Sequence, residues 1–274
     1  MKAAAFAYRR PTSLAEALGA STAEARVIAG GQSLGPMLNL RLAEPALLVD
    51  VRTLPELRGH RLDAGRLVIG AAVTHAEIED GVLPDTTLGM LPSVARSIAY
   101  RAVRNRGTLG GSLAHADPAA DWVNAMTALC ASLVVSGGGG VRRIAIDDFF
   151  LGTYRTALQS GEILTAVELP AFSARLRWGY YKICSKVGEF ASAIGAVVHD
   201  PALGITRLVA GAVEAKPVVI DDAALIGASE DSAREAIAAR LRAALPEADQ
   251  VFIHRHAVAL VRAIRQMNER AVQP

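Results

Sequence analysis

The sequence predicts an α+β protein of two domains. A two-part α/β domain covers residues 1–170, with subdomains at about 1–57 and 58–170, and an antiparallel sheet with two covering helices follows over 171–274. Three observations carry this reading. A chain of 274 residues exceeds what one small core needs. Short apolar strands alternate with helical patterns up to Pro170, and beyond it three strand candidates at hairpin-like spacing lead into two long amphipathic patterns.

The elements follow in order. After a strand-like start, Ser13 and Glu16 form a capping-box pattern, and Leu14, Ala17 and Leu18 supply one apolar helix face. Val27-Ile28-Ala29 and Leu47 to Val51 read as short buried strands, which completes a small α/β unit. Leu67 to Val73 is another strand, followed by a short helix near Thr74 to Glu79. Leu88, Leu91, Val94, Ala95, Ile98 and Ala102 recur at helical spacing and predict one amphipathic helix. A further helix fits Trp122 to Ala131. Strands at 132–135 and 141–146 join through the turn Gly137 to Gly140, and Ile163 to Leu169 is a strand ended by Pro170. The second domain then takes strands at 178–183, 193–199 and 205–213, with helices from about Asp231 to Leu245 and from Val251 to Ala271.

Composition removes several functions. Hydrophobic residues make up 51% and charged residues 20%, which is ample material for burial. A net charge of +2 with 5% aromatic residues gives no case for nucleic acid. The N-terminus lacks an apolar secretory core, and the longest apolar run, Val123 to Val135, is shorter than the ~20 residues a membrane span needs. A cytoplasmic location with no membrane span is expected. Cys130 and Cys184 stand alone in unrelated contexts and read as reduced, buried thiols. They exclude a disulfide framework and any all-cysteine iron–sulfur or zinc site in this chain. His115 and Asp117 have no third metal ligand at suitable spacing and read as loop-shaping residues.

Two glycine-rich loops carry the functional signal. Ala29-Gly30-Gly31-Gln32-Ser33-Leu34 ends the first apolar strand, and Thr108-Leu109-Gly110-Gly111-Ser112 follows the basic stretch Arg101 to Arg106. Each offers backbone N–H groups unobstructed by Cβ atoms, with hydroxyls at Ser33, Thr108 and Ser112, which suits phosphate oxygens. Taken singly, either loop reads equally as a turn. Neither matches GxGxxG or a Walker Gly-Lys-Ser/Thr pattern, so conventional nicotinamide and ATP sites lose support. Together the loops suggest one diphosphate held between them.

The longer strings Arg26 to Ala43 and Arg104 to Asp121 resemble the two flavin loops of the molybdenum hydroxylase flavoproteins, the FAD-binding medium subunits of the xanthine dehydrogenase and carbon monoxide dehydrogenase family. Glu162 to Pro170 resembles a third family element, and the likeness covers essentially the whole chain. It implies a two-part FAD-binding domain of the PCMH type. It also implies that Ala29, Gly30, Gly31, Gln32, Ser33 and Leu34, with Thr108, Gly110, Gly111 and Ser112, wrap the diphosphate and ribityl chain. Asp121 would accept hydrogen bonds from cofactor hydroxyls; as a residue type it reads equally as an N-cap before Trp122. Leu164 would pack near the isoalloxazine, and Lys182 would lie near the ring, the alternative being a surface strand lysine. His75 would stand near the flavin, or else be an exposed helix-start histidine. Ala99 would allow close approach to the cofactor. Arg96, Arg101, Arg104 and Arg106 could offset diphosphate charge, with some facing acidic neighbours instead. The segment from Lys182 to Ala191 departs from the Arg-rich stretch of many relatives.

The resemblance further implies an oxidoreductase subunit with no catalytic residue of its own, FAD in this chain, and a molybdopterin-type molybdenum cofactor and two [2Fe-2S] clusters in partners. Those partners are a large molybdopterin subunit and a small iron–sulfur subunit, in a dimer of heterotrimers that serves an external electron acceptor. The rival readings are a stand-alone FAD oxidase, against which Gln32 offers no histidine for covalent attachment, and a flavin-free scaffold subunit.

Overall fold

Three sheets succeed one another along the chain, and a computed structural model describes residues 2–214 and 216–270. The first sheet is parallel, with strand β1 (Ala7–Arg9) and strand β2 (Ala25–Ile28) on either side of β3 (Leu47–Asp50). Helix α1 (Leu14–Ala20) makes the crossover after β1. Ser13 caps it as the sequence predicts, but the Glu16 carboxylate accepts from the Thr12 amide and hydroxyl rather than from Ser13. Helix α2 (Leu34–Asn39) starts inside the first glycine loop, where no helix is predicted.

The second sheet is antiparallel, in the order β4 (His60–Asp63), β5 (Arg66–Gly70), β10 (Ile163–Leu169), β6 (Ser132–Gly137), β7 (Gly140–Ala145). Its helices are α3 (His75–Glu79), α4 (Met90–Arg96), α5 (Arg101–Arg104), α6 (Leu109–His115), α7 (Asp121–Ala128) and α8 (Ile146–Phe149), and strands β8 (Phe150–Gly152) and β9 (Arg155–Thr156) form a small hairpin. The single helix predicted across residues 88–102 is two helices, because Ala99 turns into the left-handed region at φ 39° and breaks the run. Apolar spacing survives such a break, so the pattern alone did not show it. The second glycine loop also becomes a helix, α6, capped by the Thr108 hydroxyl.

The third sheet is an antiparallel meander of β11 (Arg177–Ile183), β12 (Ala193–Asp200), β13 (Ile205–Gly211) and β14 (Val218–Ile220). A short α9 (Ala224–Gly227) precedes α10 (Glu230–Ala244) and α11 (Gln250–Arg270), the two covering helices. The predicted end of the last helix, Ala271, lies outside the described residues. Strands β12 and β13 are buried on both faces: Val197, Leu208 and Ala210 pack under α10 and α11, while Ala196, Val198 and Val209 join the core around Trp122 and Met126. A two-faced strand reads as a continuous apolar run instead of alternating, as Ala193 to Val198 does. Gly179 and Gly195 let α11 lie directly on this sheet, since a Cβ at either would meet a helix carbonyl at 1.8 or 2.4 Å. The thiols of Cys130 and Cys184 are free, and both are half-buried, short of the full burial expected.

Candidate functional site: a cleft between two glycine loops

A cleft of about 1370 Å³ opens between the first two sheets. It is larger than the ~300–1,000 Å³ typical of small-molecule pockets and suits an extended ligand of dinucleotide size. All six residues from Ala29 to Leu34 line it, as do His75, Ala99, Thr108, Gly110, Gly111, Ser112, Asp121 and Leu164. Lys182 does not.

The two glycine loops differ in what they present. Residues 107–110 run antiparallel to 71–75, so Leu109 N–H donates to Val73 O and Gly110 N–H to Ala71 O, both at 2.9 Å. Gly111 N–H donates to Thr108 Oγ1 at 3.1 Å and Ser112 N–H to Thr108 O at 3.0 Å. The amides of Leu109 to Ser112 in the second loop are therefore consumed by the sheet edge and the helix cap, against the expectation that both loops offer them. The first loop is the reverse. Among the described residues, the amides of Gly30, Gly31, Gln32, Ser33 and Leu34 have no acceptor within the chain. Gly31 holds φ +70°, the conformation that turns successive N–H groups toward a common point. A run of donors at a helix start is suited to a diphosphate.

Missing Cβ atoms lock the loops together. A Cβ on Gly30 would lie 2.1 Å from Arg106 O, and one on Gly110 would lie 2.4 Å from Ala71 Cβ. The second loop thus supplies a floor and the hydroxyls of Thr108 and Ser112, while the first supplies the donors. The donor set and the cradle fit FAD. Leu164, 5% exposed, gives the cleft an apolar wall, next to a shift in the β10–β6 register between Leu164 and Ala166.

Asp121 is the first residue of α7 rather than its N-cap, which is Ala120. Its carboxylate accepts from Tyr180 Oη at 2.8 Å and lies 3.0 Å from Lys182 Nζ, with Ser97 Oγ at 3.3 Å. Burial pushes its pKa up, and the neighbouring ammonium works against that shift. Burial and this same carboxylate hold the Tyr180 phenol well above its ordinary range. Lys182 also donates to Ser97 O at 2.8 Å, so the lysine expected beside the ring instead stands behind the cleft wall and ties β11 to the end of α4. Tyr180 and Lys182 share one face of β11, the alternation that could have marked them as joint partners of a single acid.

His75 is buried at 6% exposure, which excludes the exposed helix-start reading. Trp122 Nε1 donates to its Nδ1 at 2.9 Å. Burial, with Arg104 nearby, lowers its pKa to about 4. None of the four arginines lines the cleft. Arg101 pairs with Asp80 and Glu79, and Arg104 pairs with Glu79 at 2.7 Å while donating to the carbonyls of Ile98 and Ala99. Arg104 thereby pins the left-handed turn at Ala99 that borders the cleft. Arg96 and Arg106 are exposed. Gly188, Glu189 and Phe190, within the segment Lys182 to Ala191 but not named as site residues from the sequence, reach the cleft from the loop after β11. Among the described residues no acid, histidine or cysteine cluster could hold a metal, and no helix is long and apolar enough to cross a membrane.

Comparison with known proteins agrees with this geometry. Residues 4–172 match the family described as the FAD binding domain in molybdopterin dehydrogenase. The carbon monoxide dehydrogenase medium chain of Hydrogenophaga pseudoflava is 40% identical over 196 residues, 70% of this chain and 68% of the relative. The nicotine 6-hydroxylase medium subunit of Paenarthrobacter nicotinovorans is 36% identical over 245 residues, 87% of this chain and 86% of the relative. Among solved structures, quinoline 2-oxidoreductase from Pseudomonas putida 86 superposes with a TM-score of 0.84 at 33% identity, covering 100% of both chains. Carbon monoxide dehydrogenase from Hydrogenophaga pseudoflava does so with a TM-score of 0.85 at 32% identity, covering 98% of this chain and 99% of the other. A dinucleotide-sized cleft, a donor-bearing glycine loop and these matches lead to one assignment: the chain belongs to the FAD-binding medium subunits of the molybdenum hydroxylases, the oxidoreductase family of the xanthine and carbon monoxide dehydrogenases.

Proposed function

We propose that this chain holds FAD as the electron exit of a three-subunit molybdenum hydroxylase. The observation that carries the site is the run of five amides from Gly30 to Leu34, cleft-lining residues whose N–H groups have no acceptor among the described residues. When bound, FAD supplies a carrier that takes up electrons singly and releases them singly or in pairs. The residues of this chain bind and orient it. The Gly30–Leu34 amides and the Ser33 hydroxyl grip the diphosphate, and Thr108, Gly110, Gly111 and Ser112 close the opposite side. Leu164 and Ala99 flank the ring system and exclude water. Asp121 accepts from cofactor hydroxyls with the lone pair left over by Tyr180, Ser97 and Lys182, so Lys182 acts through Asp121.

In this reading, a large subunit carries the molybdopterin-type cofactor and hydroxylates substrate. A small subunit with two [2Fe-2S] clusters relays electrons to this chain, which passes them to an external acceptor. The assembly is a dimer of heterotrimers in the cytoplasm. The FAD-binding domain spans residues 1–170, with subdomains meeting near residue 57, and residues 171–274 form the domain that supplies Tyr180 and Lys182. Purification of the complex tests this: acid should release FAD noncovalently from this chain, and molybdenum and iron should co-purify in partner chains. A colourless chain that FAD cannot reconstitute would point to the scaffold reading. A yellow monomer that oxidises a small substrate unaided would point to an oxidase.

A further inference from the structure

We infer that Trp122 locks His75 in its Nε2-protonated neutral tautomer, and that this Nε2–H is a fixed donor to an acceptor atom of the cofactor bound in the cleft. The inference rests on the FAD reading above and adds a positioning pair to it.

The tautomer follows from hydrogen-bond inventory. An indole N–H can only donate. Trp122 Nε1 reaches His75 Nδ1 at 2.9 Å, so Nδ1 must present its lone pair and the ring proton must sit on Nε2. Protonating both nitrogens would set two N–H groups against each other inside a buried pair, since Trp122 is fully buried and His75 nearly so. The second nitrogen points away from the indole. It has no partner among the described residues, although His75 lines the cleft. Nε2 is not among the fully buried unpartnered atoms, so its N–H, without a protein acceptor on a cleft-lining residue, is open to an acceptor from a ligand or water.

Every other degree of freedom of His75 is held. It is the first residue of α3, whose start is fixed by the full capping box of Thr74 and Glu77. Its own amide donates to Gly107 O at 2.9 Å. Gly107 lets the ring lie against its backbone, for a Cβ there would lie 2.6 Å from Nε2 and 2.8 Å from Cδ2. The start of α7 thus orients two cleft residues at once: Asp121 through Lys182 and Tyr180, and the adjacent Trp122 through its hold on His75.

The test uses the full chain without and with FAD. Nitrogen-15 spectra of the histidine rings should show a protonated Nε2 and an unprotonated Nδ1 for His75, and W122F should turn this into a tautomer mixture. FAD titrations should show H75F weakened roughly two- to tenfold, the scale of one hydrogen bond, with H75Q recovering part of the loss. Riboflavin and ADP as probes then locate the acceptor. A loss seen with riboflavin puts it on the flavin, and one seen only with FAD and ADP puts it on the diphosphate side. The inference is overturned if Nδ1 carries the proton, or if H75F binds all three probes as wild type does while wild type binds FAD. Failure of wild type itself to bind FAD would instead sink the FAD reading. Thermal melts of each variant separate misfolding from lost contact, and W122F carries the tautomer test even if H75F does not fold.

Discussion

Gly30→Ala should separate the two walls of the cleft. The added Cβ would lie 2.1 Å from Arg106 O and 2.7 Å from both Arg106 C and Gly107 Cα, about 1.3 Å inside ordinary contact at 3.4 Å. These neighbours are backbone, and they cannot retreat. Gly107 N–H donates to Val103 O at 2.7 Å, and Gly107 O accepts from His75 at 2.9 Å. The first loop must therefore move, by more than an ångström. Overpacking of this kind costs about 1–3 kcal/mol of stability, which in a chain of this size lowers Tm by roughly 2–4 °C per kcal/mol. The larger effect falls on binding. Loss of two hydrogen bonds to a charged diphosphate, at about 1.5–3 kcal/mol each, weakens FAD by roughly 10²–10⁴-fold. Gly35→Ala is the control, one turn into the same segment with nothing within 4 Å of its Cβ. It should leave FAD affinity unchanged and stabilise the chain by up to about 1 kcal/mol. Flavin fluorescence titration and thermal melts read both variants. Equal FAD affinity for the two would refute the claim that contact between the loops shapes the donor run.

Three other perturbations probe the same design. Gly111→Asp places a carboxylate beside the diphosphate and a Cβ 2.7 Å from Thr108 Oγ1, so purified protein should carry no flavin; normal occupancy would reduce the second loop to a turn. Lys182→Met leaves Asp121 buried without its cation, a loss of about 3–5 kcal/mol by denaturant unfolding; Asp121→Asn on that background should recover part of it, and a purely additive double variant would dismiss the pairing. His75 binds its proton near pH 4 in the fold against 6.5 when unfolded. The unfolded state then holds more protons between those values, so the stability this group contributes is complete above pH 6.5 and drains away as pH falls toward 4, by roughly 3 kcal/mol. His75→Gln should flatten that part of the pH–stability curve, and an unchanged slope would show that His75 takes up its proton over the same pH range folded and unfolded.

Much of this was legible in the chain because it is written locally. Strand runs such as Leu67 to Val73, which forms a strand as far as Gly70, the Ser13 cap and the turn Gly137 to Gly140 depend on neighbours in sequence, and the two glycine loops stand in longer contiguous strings that carry the family resemblance. What escaped is long-range or depends on a single dihedral. Ala99 breaks a helix whose apolar periodicity continues through the break, and no residue type there signals a positive φ. The pairing of Asp121 with Lys182 spans 61 positions and that of His75 with Trp122 spans 47, beyond any local pattern. The two glycine loops look alike as strings of donors. Only the antiparallel run of 107–110 beside 71–75 reveals that one set of amides is already used and the other is free.

That asymmetry is the centre of the account, and amide hydrogen exchange resolved by residue tests it most directly. FAD added to the purified chain should slow exchange at Gly30, Gly31, Gln32, Ser33 and Leu34, whose amides gain an acceptor. Leu109 to Ser112, bonded already within the chain, should be protected before FAD is added and change little after. Protection arising at the second loop, with the first still exchanging freely, would contradict the account.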